Sequence, residues 1–255
     1  MHRGNFLSAS VLLATVFSSG LAYADGPADL RSALTRLQGT SPIKAVIEAK
    51  TWVRRGEGKE AEETQGSASV ALEDNGRGLQ VLYGKDLLAR LDNEERAREK
   101  DSKAKAPLTA TMREFSSGEL RSMCGAASAL SRRLEKASFR AEKADQLNGK
   151  NVRMLSYEMP LEKLDEQSRK YVKNYQGHLD IWIDADGTPL ASRWSEAASG
   201  RAFVVISFES KEDESLTYSV SGDRLFISKK EFKAQSSGAG ERSESRTSKT
   251  MQVQS

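Results

Sequence analysis

Residues 178–194 have the sequence HLDIWIDADGTPLASRW, and this stretch constrains the fold more than any other part of the chain. Its first half alternates apolar and polar side chains, the period of a strand with one buried face. The apolar members are Leu179, Ile181 and Ile183. The pair Asp186-Gly187 follows, and an Asp-Gly pair between two alternating segments is a strong signal for a hairpin turn. The stretch therefore predicts two adjacent antiparallel strands.

The first 24 residues have the composition of a secretory signal peptide. Arg3 precedes the largely apolar residues 6–23, and Ala22 and Ala24 provide small residues at the two positions that a signal peptidase recognises. A membrane anchor would need about 20 apolar residues with fewer hydroxyl groups. We therefore expect the leader to be cleaved, and the mature protein to be soluble, periplasmic and without a transmembrane segment.

Charge and residue content exclude several classes of function. The formal net charge of +3 over 255 residues is too close to balance for a nucleic-acid-binding protein. Cys124 is the single cysteine, and its apolar neighbours favour a buried, inert thiol. His178 is the one histidine beyond the leader, whereas zinc sites and histidine-based triads need more partners. We therefore predict a protein that is not an enzyme, with no catalytic residue, no metal site and no cofactor.

The remaining segments predict further strands and three to four helices. Strand-like alternation occurs at residues 43–53, 67–72, 79–83, 152–159, 216–220 and 225–227. Helical spacing of apolar residues occurs at residues 27–38, 85–105, 116–139 and 161–176. Strands and helices in this mixture favour an α+β arrangement in which helices cover one face of an antiparallel sheet.

Residues 201–208 are apolar at both parities, which a strand with one wet face does not need. One side is expected to pack on helices and the other to line a lipophilic cavity, with a solid core as the alternative. Combined with the hairpin, this predicts six ligand-binding wall residues. They are Ile181, Ile183, Trp194, Val204, Ile206 and Phe208.

The order of these elements, with the hairpin Leu-Asp-Ile-Trp-Ile-Asp followed by Asp-Gly-Thr-Pro-Leu, resembles the LolA-like superfamily. That superfamily includes periplasmic lipoprotein carriers, their outer-membrane receptor and a sensor that restrains an anti-sigma factor. The resemblance implies a curved antiparallel sheet, an unclosed β-barrel, whose concave face is covered by the helices and holds acyl chains. The charged residues 92–105 and the long polar C-terminus are not features of such carriers, and the sequence lacks the lipidation cysteine of the receptor branch.

We therefore predict three segments: a signal peptide at residues 1–24, a single LolA-like domain at residues 25–235, and a flexible polar segment at residues 236–255 with room for a last edge strand. The expected function is a periplasmic carrier or binder of lipid or lipoprotein acyl chains. The alternative is a periplasmic interaction or envelope-sensor protein that binds another envelope protein and no lipid.

Overall fold

The computed structural model describes residues 25–202 and 206–254, which form one antiparallel sheet of ten strands and six α-helices. The helices are α1 (Gly26–Arg36), α2 (Lys85–Lys100), α3 (Pro107–Met112), α4 (Ser117–Cys124), α5 (Ala126–Leu134) and α6 (Glu166–Tyr171). The strands are β1 (Ile43–Arg55), β2 (Glu62–Asp74), β3 (Leu79–Leu82), β4 (Ser138–Leu147), β5 (Lys150–Met159), β6 (Val172–Ile183), β7 (Pro189–Ala202), β8 (Ile206–Ser221), β9 (Arg224–Gly238) and β10 (Glu241–Val253). The α+β class is confirmed, with more helices than predicted.

The strands follow the order β3-β2-β1-β10-β9-β8-β7-β6-β5-β4, so β3 and β4 are the edges and the sheet is not closed. Consecutive strands pair everywhere except β3 and β4, and β1 also pairs with β10, in a register that runs from Ala45↔Val253 to Arg55↔Ser243. The last strand of the chain therefore joins the β1–β3 meander to the β4–β10 meander.

This position of β10 corrects the prediction for residues 236–255. β9 continues to Gly238, and β10 lies inside the sheet, hydrogen-bonded to both β1 and β9. The segment is neither a flexible tail nor an edge strand. Its serine-rich, charged sequence hides the alternation because several of its inward positions carry polar groups that find partners only in the folded sheet.

One face of the sheet, here called the inner face, packs against helices. Its buried positions alternate along the strands, as at Ile47 in β1, Val70 in β2 and Leu216 in β8. They form one hydrophobic cluster with buried side chains of five helices. The helical members include Leu30, Leu34, Leu87, Leu108, Leu120, Met123 and Leu130. The opposite, outer face is mainly polar, as the exposed Lys44, Glu48 and Lys50 of β1 illustrate.

The predicted hairpin is confirmed as β6 and β7. Leu179 pairs with Trp194, and Gly187 in the turn has φ +82°, a conformation that favours glycine. A Cβ atom at Gly187 would lie 2.3 Å from the main-chain oxygen of Asp29 in α1. The turn therefore needs glycine both for its own geometry and for its close packing against the first helix.

Residues 116–139, predicted as one helix, form α4, α5 and the beginning of β4. Gly125 separates the two helices with φ −126° and ψ 56°. The apolar spacing continues across this break, so the sequence pattern does not reveal it. Ser116 caps α4, since its hydroxyl accepts a hydrogen bond from the main-chain nitrogen of Glu119 at 3.4 Å.

Residues 161–176 also differ from the prediction of one helix. Only α6 is α-helical there, after a short 3₁₀ turn at Leu161–Lys163, and the chain enters β6 at Val172. Val172 and Tyr175 have the helical spacing that suggested a longer helix, but β-branched and aromatic residues also pack well in strands. Residues from Val172 onward pair with β7, and this pairing stabilises a strand there instead of a longer helix.

Leu130→Ala should lower the free energy of unfolding by about 2–5 kcal/mol, because Leu130 is only 4% exposed and the change leaves a cavity. Arg132→Ala, in the same helix, should change it by no more than about 0.5 kcal/mol, because Arg132 is exposed. Urea denaturation of the two variants measures both values. Equal midpoints would show that the buried face of α5 is not the one that carries Leu130.

Candidate functional site

A cavity of about 730 Å³ lies between α2, α3 and four strands of the sheet. This volume is within the range of about 300–1,000 Å³ that is usual for small-molecule sites. The floor is a row of inner-face residues in register across β2, β1, β10 and β9, namely Gly66, Thr51, Thr247 and Phe232. The helices contribute Arg90, Glu94, Pro107 and Leu108. Residues on either side of each floor position also line the cavity, and strand alternation directs their side chains to the outer face.

Polar contacts fix α3 over this floor. The Glu94 carboxylate accepts hydrogen bonds from the main-chain nitrogens of Leu108 at 2.9 Å and Thr109 at 2.8 Å, so α2 caps the start of α3. The hydroxyls of Thr51 and Thr111 lie 2.7 Å apart and tie α3 to β1. A Cβ atom at Gly66 would lie 2.4 Å from the main-chain oxygen of Pro107. Glycine at this position therefore allows α3 to approach β2.

The cavity combines apolar surface with a cationic side chain, Arg90. Phe232 in the floor and Pro107 in the helical roof are half-buried, so the floor and the roof each offer apolar surface. Arg90 is exposed and forms no ion pair within the part of the chain that the structure describes. This arrangement suits an elongated amphipathic ligand with an acidic group.

A chain of six alternating charges lies beside the cavity floor on the inner face, with Lys230 and Lys249 one row further along the sheet. Its members are Arg133, Glu214, Lys230, Glu119, Lys249 and Glu114. The successive nitrogen–oxygen distances are 2.6, 2.9, 3.0, 2.7 and 2.9 Å. The chain connects α5, β8, β9, α4 and β10 with the 3₁₀ turn Arg113–Phe115. It therefore fastens helices to the sheet immediately beside the cavity.

Lys249 is the most buried member of the charge chain, since its side chain is 2% exposed. It lies directly opposite Lys230 in the β9–β10 register. Two buried ammonium groups on neighbouring strands would be very costly without acids between them. Glu119 contacts both, at 2.7 Å from Lys249 and 3.0 Å from Lys230, and it balances the pair.

Glu119 and Glu214, two acids of the charge chain, are held in the charged form. Burial alone raises the pKa of Glu119, but Lys230 and Lys249 outweigh it and the pKa lies below the usual value. The pKa of Glu214 is lowered in the same way against its burial, by Arg133 and Lys230. Burial lowers the pKa of Lys230, and Glu214 and Glu119 outweigh that effect and raise it. All three groups are therefore ionised at neutral pH.

The predicted wall residues occupy two different environments. Ile181 and Ile183 are completely buried in the hydrophobic cluster, and Trp194 is 7% exposed beneath the Arg133 guanidinium, which lies 5.5 Å from its ring centroid. Ile206 and Phe208 are half-buried at the far end of β8. Val204 lies outside the described residues. The described members share the inner face, but none of them lines the 730 Å³ cavity.

A second hollow of about 530 Å³ lies over β6, β7 and β8, closer to Phe208. Its lining is largely polar, with Asn174, Tyr175, Ser199, Ser210 and Lys211 among its residues. None of the predicted wall residues that the structure describes lines this hollow.

Two carboxylates face each other next to this hollow, since Glu196 and Glu212 are directly opposite in the β7–β8 register. The pKa of Glu196 is raised, first by burial and then by the charge of Glu212. Tyr175 donates a hydrogen bond to Glu196 at 3.3 Å, and burial followed by the charge of Glu196 raises the pKa of Tyr175. The carboxylates of Glu196 and Glu212 therefore repel each other at neutral pH.

Glu212→Gln should therefore raise the free energy of unfolding at pH 7 by about 0.2–1 kcal/mol, the usual size of a cross-strand pair effect. Because the pKa of Glu196 is raised in the folded state, the wild type loses stability as the pH rises through that pKa. The gain should consequently shrink between pH 7 and pH 4, because protonation of Glu196 in the folded wild type removes its repulsion from Glu212. Thermal unfolding at both pH values is the measurement. Glu209→Gln, at an exposed outer-face position of β8, is the control and should have little effect at either pH.

Cys124 is buried, as predicted, and burial raises the pKa of its thiol to about 11. It is therefore protonated at neutral pH and unsuited to nucleophilic attack. Among residues 25–202 and 206–254, no group of three or more His, Cys, Asp or Glu side chains could hold a metal ion. No helix in those same ranges is both long and apolar enough to cross a membrane.

Neither the cavity nor the charge chain is predicted from the sequence. Gly66 within a strand is the one available signal, because glycine there often marks a close backbone approach. A scan against protein-family models and a search of curated proteins found nothing that matches this chain.

Proposed function

We propose that the protein is a secreted, periplasmic, non-enzymatic carrier or binder of lipid or lipoprotein acyl chains. The observation that carries the proposal is the 730 Å³ cavity between α2, α3 and the sheet, with Phe232 in its floor and Pro107 in its roof. In this arrangement the helices cover the inner face of the unclosed sheet and leave a space for the acyl chain at one end of that face. The proposed ligand is the one predicted from the sequence, but the proposed site is on β1, β2, β9 and β10 instead of β6–β8.

The cavity has one part that suits the acyl chain of such a ligand and another that suits its acidic head group. Each methylene group buried against the apolar wall contributes about 0.8 kcal/mol, so six of them would supply about 5 kcal/mol. Arg90 provides a guanidinium for a carboxylate or phosphate head group at the α2 side. Glu94 does not oppose an anion strongly, because its carboxylate is engaged at the N-terminus of α3.

The test is organic extraction and mass spectrometry of the full chain purified from a bacterial periplasm. Acyl-containing molecules should be recovered in stoichiometric amount, and a fluorescent fatty acid should compete with them in solution. Recovery of no acyl species, combined with no binding of fatty acid to the delipidated protein, would exclude the carrier function.

A second candidate is the protein-interaction or envelope-sensor function. The observation that favours it is a cluster of exposed apolar side chains where the edge strand β3 leads into α2. Leu82 is 51% exposed, Tyr83 46% and Leu88 46%. Exposed apolar side chains beside an unpaired strand edge are typical of sites where another protein adds a strand. Crosslinking at residue 83 in the periplasm, together with lipid-free protein in the extraction experiment, would favour this candidate.

A further inference from the structure

A cationic and aromatic patch lies on the outer face of the sheet, directly behind the cavity floor. Trp52 of β1 is opposite Arg246 of β10, and Arg246 is opposite Lys233 of β9. The Arg246 guanidinium lies 4.8 Å from the Trp52 ring centroid. Lys50 precedes Trp52 by two positions on the same face. Neighbouring strands are about 4.8 Å apart, so these four residues, here called the outer-face patch, lie within about one Debye length of each other.

The cations of the outer-face patch lie among acids, but within the described residues they have no ion pair of their own. Lys50, Lys233 and Arg246 are exposed, and none forms an ion pair with a residue that the structure describes. Nearby acids are already paired with other cations, among them Asp213, which is opposite Lys233 in the β8–β9 register and lies 3.0 Å from Arg193. Glu231 contacts Lys229 at 2.8 Å, and Glu63 lies 3.9 Å from Arg54 and accepts a hydrogen bond from the Trp52 indole nitrogen at 3.3 Å.

We propose that the outer-face patch docks the protein on the surface of an anionic phospholipid bilayer. A half-buried tryptophan suits the boundary between acyl chains and head groups, because its ring is apolar and its N–H is polar. Lysine and arginine side chains extend towards lipid phosphates while their aliphatic parts cover apolar surface. The combination of the two distinguishes a bilayer surface from a soluble polyanion, which needs only the cations.

The docking surface and the floor of the acyl-chain site are on opposite faces of the sheet, although β1, β9 and β10 contribute to both and the four patch residues border the cavity. Side chains at positions 50, 52, 233 and 246 are on the outer face, and the floor residues between them are on the inner face. Vesicle binding therefore does not require a lipid in the cavity. Failure of one proposal leaves the other standing.

The test is cosedimentation of the full chain with vesicles of phosphatidylcholine that contain phosphatidylglycerol, compared with vesicles of phosphatidylcholine alone. The variant Lys50→Gln/Lys233→Gln/Arg246→Gln should bind the anionic vesicles at least about 30-fold more weakly, since each cation near such a surface contributes about fivefold. The control is Lys103→Gln/Lys105→Gln/Arg132→Gln, which removes the same charge from exposed positions elsewhere and should keep wild-type binding within about twofold.

Two further measurements sharpen the result. Glu48 is the preceding outer-face residue of β1, is exposed and has no ion pair within the described ranges, so Glu48→Gln should strengthen vesicle binding. Brominated lipids should quench tryptophan fluorescence of the wild type more than that of Trp52→Phe. Equal loss in both triple variants, equal binding to the two kinds of vesicle, or binding to dextran sulfate but not to anionic vesicles would overturn the proposal.

Discussion

Glu119→Ala is expected to lower the free energy of unfolding by about 3–5 kcal/mol, the range observed when one partner of a buried ion pair is removed. The substitution leaves Lys230 and Lys249 opposite each other in the sheet with one fewer acid to balance them. Lys249 retains only Glu114 among its ion-pair partners in the described residues. Urea denaturation followed by circular dichroism measures the loss.

The control is a glutamate in an exposed helical ion pair. Glu166 lies 3.3 Å from Lys170, and its side chain is 78% exposed. Glu166→Ala should change the free energy of unfolding by no more than about 0.5 kcal/mol. In addition, Glu119→Ala/Lys249→Met should cost less than the two single changes together, because the residues are in direct contact. Equal losses for the Glu119 and Glu166 variants would show that the charge chain does not stabilise the fold.

The pH dependence of the loss follows from the lowered pKa values of Glu119 and Glu214. A carboxyl group whose pKa is lower in the folded state contributes stability above its unfolded value, and the contribution disappears as the pH falls through the folded value. The difference between the wild type and Glu119→Ala should therefore be largest at neutral pH. It should decrease below pH 4.5, the ordinary value for this group. The raised pKa of Lys230 adds stability that is lost only in strongly alkaline solution.

Local patterns predicted the parts of the fold that depend on neighbouring residues. The hairpin β6–β7 is an example, because the alternation of Leu179, Ile181 and Ile183 and the Asp186-Gly187 turn are complete within 17 residues. α5 is a second example, since Leu130 is buried and Arg132 is exposed as the spacing predicts. Each of these features carries its own signal in the sequence.

Features that depend on distant residues could not be predicted in the same way. β10 pairs with β1, about 200 residues earlier in the chain, and its inward Thr247 and Lys249 do not have the apolar character of a buried strand. The burial of Lys249 requires Glu114 and Glu119, which come from a different part of the sequence. The cavity likewise requires α3 to meet Gly66 of β2. A single sequence contains these residues but not their proximity.

Phe232→Glu is expected to weaken binding of a long-chain fatty acid at least about 30-fold, because lost apolar contact and desolvation of a carboxylate together exceed about 2 kcal/mol. Phe232 is half-buried in the cavity floor between Thr247 of β10 and Glu214 of β8. The new carboxylate lies opposite Glu214 and two positions from Lys230, which already pairs with Glu119 and Glu214, so the folding of the variant has to be measured. Titration with a fluorescent fatty acid measures the affinity, and circular dichroism checks that the variant is folded.

Ile206→Glu is the matched control, since it places the same charge at a half-buried inner-face position of β8, outside the 730 Å³ cavity. If the acyl chain occupies that cavity, Ile206→Glu should bind fatty acid within about threefold of the wild type, a difference below about 0.7 kcal/mol. If the chain lies along β6–β8 as the sequence predicted, the order of the two variants reverses. Equal and nearly unchanged affinity in both folded variants would contradict binding at either site. The two substitutions therefore decide not only whether the inner face binds an acyl chain but which half of it does.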